Sequence, residues 1–266
     1  TVLVWDDRKQ KEVIELEFKS AVTGVRLRRD RIVVALANKL FVYTFNPTPQ
    51  KLNVIETADN PNGLIALCPN TAMSILAFPG RQPGHVQLID LSNPKRSPTI
   101  IAAHETALSC LSINIQGDML ATASEKGTLI RIFDTQMGIK LHELRRGAEK
   151  AQIYSINFNS DSSKLCVSSD KGTIHVFDIS AYGKNKQSSL VSAKSYLPKY
   201  FSSTWSFAKF SVPESRCICA FTADDCVLVL SIDGSLYKYS LAPDGEAKRE
   251  SFSKFLELED ENAPVI

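Results

Sequence analysis

Two adjacent arginines stand in the run Leu144-Arg145-Arg146-Gly147. A guanidinium is a permanently charged, planar fork of N–H donors that matches the oxygens of a phosphate. Matching sets of residues flank the pair: His104, Ser124, Lys126, Thr128 and Arg131 before it, and Ser168, Ser169, Lys171, Thr173 and His175 after it. Guanidinium, hydroxyl, imidazole and the backbone N–H groups of a Gly turn are the donors that satisfy phosphate oxygens. Successive side chains on a strand point to opposite sides, so neighbouring arginines would serve two anion sites rather than one. The competing assignment is structural, because Ser, His and Asp also build the internal hydrogen-bond network of a repeat, and exposed arginine pairs are common. Spacing alone leaves both open.

A second stretch with a chemical bias follows. Between Ile179 and Pro213 there is no Asp or Glu, yet the segment carries Lys184, Lys186, Lys194, Lys199 and Lys209, with Tyr182, Tyr196, Tyr200, Phe201, Trp205, Phe207 and Phe210. Cationic, serine-rich and aromatic is the composition of a segment that meets an anionic membrane surface, where lysines are drawn to lipid charge and aromatic rings settle in the interface. Trp205, Phe207 and Phe210 read as alternating along the outer strand of a sheet, which leaves Tyr182 to Phe201 as loop, with Leu197, Tyr200 and Phe201 as the residues to enter lipid. A solvated loop whose aromatics fold back on the sheet is the other reading. The basic run Arg26, Arg28, Arg29 and Arg31 reads as a solvated turn, since no aromatic stacking platform accompanies it.

Signals for catalysis are missing from the sequence. The four histidines (His85, His104, His142, His175) fall in no catalytic motif, and there is neither a phosphate loop nor a Gly-x-Ser-x-Gly element. The expectation is a protein that is not an enzyme and carries no cofactor. Six cysteines follow no zinc spacing and sit mostly in apolar runs, so they read as reduced core thiols of a cytosolic protein. Cys217-Ile218-Cys219 is read with its two thiols on opposite faces of a strand.

The elements that must position these residues follow from composition and period. A chain of 266 residues, 44% hydrophobic and 23% charged, can bury a sizeable core, and a net charge of +2 argues against a strongly basic nucleic-acid binder. No apolar run approaches the roughly 18 residues of a membrane-spanning helix. The opening Thr1-Val2-Leu3-Val4-Trp5-Asp6 resembles a strand already under way, so the true N-terminus is expected to be missing. Short runs of alternating polarity, such as Arg31 to Phe45, His85 to Leu91 and Thr173 to Phe177, are separated by turns rich in Asn, Asp, Gly and Pro, which is an all-β signature.

The runs repeat. An aromatic or aliphatic residue followed by Asp or Asn closes a strand at Trp5-Asp6, Phe45-Asn46, Ile89-Asp90, Phe133-Asp134 and Phe177-Asp178, with Tyr239-Ser240 in the equivalent place, at spacings of 40, 44, 44, 44 and 62. Gly127, Gly172 and Gly234 mark turns 45 and 62 apart. This is the period of a WD40-type β-propeller blade. Five whole blades are expected, beginning near Val22, Gly63, Leu108, Ile153 and Ile218, after a partial one made of Val2 to Trp5 and Val13 to Phe18. That is too few to close a seven-bladed ring. The surplus in the 62-residue interval, 18 residues, falls between Ile179 and Ser206 as an insertion in one blade.

Leu144-Arg145-Arg146-Gly147, the segment Ala121 to Arg131 and the segment Ser168 to His175 resemble the PROPPIN family, called WIPI proteins in animals. Lys186 to Leu190, Leu197 to Ser203 and Trp205-Ser206-Phe207 resemble the animal branch that contains the third and fourth WIPI paralogues, and the likeness runs through essentially all 266 residues. The family implies a seven-bladed propeller that binds phosphatidylinositol 3-phosphate and phosphatidylinositol 3,5-bisphosphate, acting as a membrane-recruited scaffold in autophagy. For this chain it implies a single propeller over residues 1–266, truncated at its N-terminus. It implies one lipid site at Arg145 with His104, Ser124, Thr128 and Arg131, and a second at Arg146 with Ser169, Lys171, Thr173 and His175. Residues 179–205 would be the membrane-facing loop between the third and fourth strands of the sixth blade. A cytoplasmic protein recruited peripherally to preautophagosomal, endosomal or lysosomal membranes is the implied setting. Autophagy proteins, including the lipid-transfer protein of autophagosome growth, are the implied partners. Roughly the first blade and half of the second have no counterpart here, which leaves that partner and ring closure open. A generic WD-repeat scaffold without lipid binding is the alternative, and it would not depend on Arg145 or Arg146.

Overall fold

The structure is a computed structural model and describes residues 1–93, 95–180, 185–187 and 204–255. Every regular element among them is a β-strand. The chain divides into two compact units, Thr1–Ser124 with Phe133–Lys140, and Glu125–Ile132 with Leu141–Ile266.

In the first unit β1 (Val2–Asp6) and β2 (Lys11–Leu16) form an antiparallel hairpin. Two four-stranded antiparallel meanders follow. One joins β3 (Val22–Arg28), β4 (Arg31–Leu36), β5 (Lys39–Thr44) and β6 (Lys51–Glu56). The other joins β7 (Ala66–Leu67), β8 (Ile75–Pro79), β9 (His85–Asp90) and β10 (Thr99–Ala102). Next, β11 (Leu108–Ile113) pairs with β12 (Met119–Ser124), and β13 (Leu129–Asp134) runs across the division of the chain. The middle strands are apolar on both faces, as in β4, where Ile32 to Leu36 are all buried. Ile75, Ala77, Val86, Leu88, Leu108, Leu111 and Leu120 close one core between successive sheets.

In the second unit β14 (Lys140–Arg145) is followed by the meander β15 (Ile153–Phe158), β16 (Lys164–Ser169) and β17 (Thr173–Asp178). Beyond β18 (Lys186–Gln187) and β19 (Thr204–Trp205), the strand β20 (Ala208–Ser211) completes that sheet against β17. The last sheet holds β21 (Cys217–Phe221), β22 (Val227–Ser231), β23 (Ser235–Leu241) and β24 (Ala247–Lys254). The all-β expectation holds, and the sheets begin at or within three residues of the five positions the repeat marks.

The repeat has a physical cause. The Asp or Asn that follows the third strand turns the chain by accepting backbone N–H groups on its own side chain. Asp6 takes Arg8 and Lys9, Asn46 takes Thr48, Asp90 takes Ser92, Asp134 takes Gln136 and Met137, and Asp178 takes Ser180. Ser240 makes no such turn: β23 continues to Leu241, and Asp244 caps the turn instead by accepting from Glu246.

A second recurrent device places the ends of the fourth strands. Gly84, Gly127, Gly172 and Gly234 all hold positive φ, at 76°, 60°, 65° and 77°, in the turn between second and third strands. Carbonyls of these turns then receive the N–H that ends the fourth strand: Gly84 from Ala103 and His104, Thr128 from Arg146, Gly172 from Val212 and Gly234 from Phe255. His104 and Arg146 are therefore fixed by main-chain bonds before their side chains do anything.

Three sequence expectations need correction. Trp205 does not lie on the outer strand with Phe210. It belongs to β19, which pairs in parallel with β14 so that Trp205 stands opposite Arg145. The basic run Arg26 to Arg31 is not wholly solvated. Arg28 is buried at 5% exposure, donates Nε to Asp30 at 2.6 Å, and reaches the carbonyls of Cys68 and Asn70 and the hydroxyl of Ser74. Cys217 and Cys219 share a face: both are buried while Ile218 is exposed, as residues two apart on a strand must be. Leu197, Tyr200 and Phe201 lie outside the described residues.

Candidate functional site

The set around Arg146 lies wholly in the second unit. Leu144 is buried, Arg145 is half-buried, and Arg146, one residue beyond the end of β14, is buried at 6% exposure. The two arginines thus differ in burial. Arg146 donates Nε–H to the carbonyl of Gly127 at 2.8 Å and Nη2–H to the carbonyl of Glu149. No carboxylate forms an ion pair with it among the described residues. Burial works against its charge, while the nearby carboxylates of Asp170 and Glu149 favour it.

Ser169 ends β16 fully buried, and the turn that follows is closed by Gly172 N–H on the Ser169 carbonyl at 3.2 Å. Lys171 points into solvent, and Thr173 is half-buried with its hydroxyl 3.4 Å from the Lys171 carbonyl. His175 is buried on β17 with Nδ1 3.1 Å from the Ser206 hydroxyl. Desolvation, then the charges of Lys209 and Arg146, push its pKa down to about 3, so the ring is neutral at physiological pH. A neutral imidazole keeps one donor and one acceptor.

The residues of the other set are distributed over both units. His104 and Ser124 lie in the first, where His104 Nε2 is 2.9 Å from the Thr122 hydroxyl and the Ser124 carbonyl accepts from Ser109. Thr128, Arg131 and Arg145 lie in the second. There Arg131 Nε is paired with Glu143 at 2.9 Å, so this guanidinium already holds a carboxylate. That pairing was not legible in the sequence, although Glu143 and Arg131 sit on successive strands.

Two more residues escaped the sequence reading. Ser206 faces His175 from the far side of the insertion, and nothing in the spacing places it there. Asp170 stands between Ser169 and Lys171, within a motif that the sequence reading used for its hydroxyls and its lysine. Its Oδ1 is buried and meets no hydrogen-bond donor among the described residues.

A family model of the PROPPINs matches residues 1–249. The chain belongs to the PROPPIN family. The PROPPINs are autophagy-related phosphoinositide-binding propellers, and the all-β architecture here is that of a propeller. The chain is 38% identical to SVP1-like protein 2 of Emericella nidulans, over 96% of this chain and 92% of that protein. It is 40% identical to Autophagy-related protein 18e of Arabidopsis thaliana, over 100% of this chain and 72% of that one. In fold it is similar to the crystal structure of Hsv2 from Kluyveromyces marxianus, with a TM-score of 0.76 at 22% identity, covering 96% of this chain and 78% of that chain. The arginine pair of this PROPPIN lies within the matched residues.

Proposed function

We propose that Arg145 and Arg146 each anchor one phosphoinositide headgroup, with phosphatidylinositol 3-phosphate and phosphatidylinositol 3,5-bisphosphate as the lipids, and that the protein is a membrane-recruited scaffold of autophagy rather than an enzyme. The observation that carries this reading is Arg146: a buried cation held by two carbonyls, with no carboxylate in ion-pair contact among the described residues. A buried charge without an ion-pair partner is costly, and a phosphate dianion is a partner that would relieve it. Ser169, Thr173, His175 and the exposed ammonium of Lys171 complete the donor set on this side. Thr128 and Arg131, which lie in the same unit as Arg145, are assigned to the Arg145 headgroup.

Residues 179–205 are assigned as the membrane-facing loop, with Leu197, Tyr200 and Phe201 entering the bilayer. Within the family the chain is assigned to the branch of the third and fourth WIPI paralogues, and its partners to autophagy proteins, among them the lipid-transfer protein. Recruitment is from the cytoplasm to preautophagosomal, endosomal or lysosomal membranes.

Liposome flotation with and without 3-phosphorylated lipid tests the reading. The native chain should float only with the lipid, and an Arg145→Thr, Arg146→Thr chain should stay in the soluble fraction. Equal flotation of both chains would leave the generic protein-binding scaffold as the better account.

A further inference from the structure

Beside the buried guanidinium of Arg146 lies a carboxylate that a phosphate site does not obviously want. Asp170 follows Ser169 directly in the turn between β16 and β17, its N–H spent on the Gln152 carbonyl at 3.0 Å. The Asp170 Oδ1 atom is buried, and no described donor reaches it. Arg146 is close enough for its charge to be supported by Asp170, yet the two form no ion pair. Ser169, Lys171, Thr173 and His175 are donors or potential donors, so Asp170 contributes the lone dedicated anionic acceptor of this set. A buried carboxylate oxygen without a protein donor is unfavourable, and a ligand hydroxyl that donates to it would relieve this cost.

We propose that Asp170 is a specificity-determining residue of the Arg146 site: it accepts a hydrogen bond from a ring hydroxyl adjacent to the bound phosphate and repels a second phosphate at that ring position. This rests on the proposed phosphoinositide reading and adds what that reading does not contain. Arg146 with Lys171 recognises the phosphate, and Asp170 requires that its neighbour on the polyol ring be a free hydroxyl. The physical basis is the asymmetry of hydrogen-bonding sites. A buried acceptor left unpaired, or faced by a like charge, discriminates far more sharply than a missing apolar contact.

The test uses the Arg145→Thr chain, so that the Arg146 site is measured alone, with soluble short-chain phosphatidylinositol 3-phosphate and its 3,4-bisphosphate as probes in calorimetric titrations. The Asp170→Asn chain keeps an acceptor of the same shape but loses the charge. It should hold the monophosphate within about twofold and gain about tenfold on the vicinal bisphosphate. The Asp170→Ala chain loses the acceptor as well and should weaken on the monophosphate by about tenfold. A turn residue with a merely structural role would shift both probes together, so an unchanged ratio between them in both variants would overturn the proposal. If the Arg145→Thr chain binds neither probe but the native chain does, the Arg146 site is not a lipid site and the proposal falls with it. If the native chain binds no phosphoinositide, the functional reading itself fails.

Discussion

Arg146 Nε–H donates to the carbonyl oxygen of Gly127 across 2.8 Å, and Gly127 can offer that carbonyl only because it holds φ at +60°. A Cβ at residue 127 would stand 1.9 Å from the carbonyl oxygen of Ala151. The turn that marks the repeat thus also seats the arginine. Gly127→Ala should lose about 2 kcal/mol or more, because the left-handed backbone alone costs about 1 to 2 kcal/mol and the clash adds to it. Urea unfolding measures the loss. Headgroup binding should weaken at Arg146, and a variant of native stability and native affinity would show that the turn does not seat the side chain.

Arg145 and Arg146 alternate in burial, so each removal should spare the other site. On the proposed two-site reading, the two weak affinities multiply through effective concentration on one membrane. Arg145→Thr or Arg146→Thr alone should therefore reduce liposome affinity by a larger factor than it reduces soluble short-chain lipid binding, which should fall to half the native stoichiometry in each case. Titration with short-chain lipid and flotation on the same samples give the two numbers. A single substitution that abolishes all soluble binding would mean one shared pocket.

Stability in the first unit should depend on Arg28. Its guanidinium joins the β3–β4 turn to the carbonyls of Cys68 and Asn70 and to Ser74. Arg28→Met fills the volume but leaves the Cys68 and Asn70 carbonyls and the Ser74 hydroxyl without their donor, while Asp30 keeps its ion pair with Arg31, a loss of about 2 kcal/mol. Denaturant unfolding should register it, while flotation on lipid-containing liposomes stays near native under folding conditions. A cost below about 0.5 kcal/mol would return Arg28 to the class of surface arginines.

The pH dependence of stability should carry the mark of His175. Its folded pKa lies near 3, below the value of about 6.5 in an unfolded chain. Between those values the unfolded state binds the extra proton, so stability falls as pH drops through this window, by up to about 1.4 kcal/mol per pH unit. His175→Gln has no such proton to take up. Its unfolding free energy should decline less steeply than that of the native chain between about pH 6 and pH 4. Parallel curves would place the ring in contact with water.

Replacing Leu197, Tyr200 and Phe201 together by Ser should leave short-chain lipid binding intact and shorten residence on liposomes. Apolar insertion contributes about 0.8 kcal/mol per buried CH₂ group, and each lysine near an anionic surface about 1 kcal/mol. Stopped-flow dissociation from vesicles reads the difference. An unchanged off-rate would mark the segment as a solvated loop.

Local chemistry made the fold legible in the sequence. An Asx turn needs its Asp or Asn at the end of a strand, and a left-handed turn needs its Gly, so both recur at the blade period and can be counted without coordinates. Arg145 and Arg146 are adjacent in the sequence, but the strand ends at Arg145 and Arg146 lies just beyond it. The failures at Trp205, Arg28 and Cys217-Ile218-Cys219 have different origins. Trp205 was assigned by continuing an alternation through residues that the structure sends to another sheet. The run Arg26 to Arg31 reads as solvated because no aromatic platform accompanies it, whereas the partners of Arg28, Cys68 and Ser74, are 40 and 46 residues away. The cysteine assignment broke the period-two rule itself, and burial of Cys217 and Cys219 restores it.

By itself the sequence determined the β class, the blade period, the place of the insertion and the residue types around the arginine pair, because each depends on contacts a few residues apart. Only the tertiary structure decided which of those groups are still available to a ligand. Glu143 already holds Arg131, Ser206 faces His175, and the Asp170 oxygen is buried without a donor. These are facts of desolvation and through-space pairing, and the free energy of a charge or a lone pair depends on what surrounds it in three dimensions, which spacing along the chain does not encode.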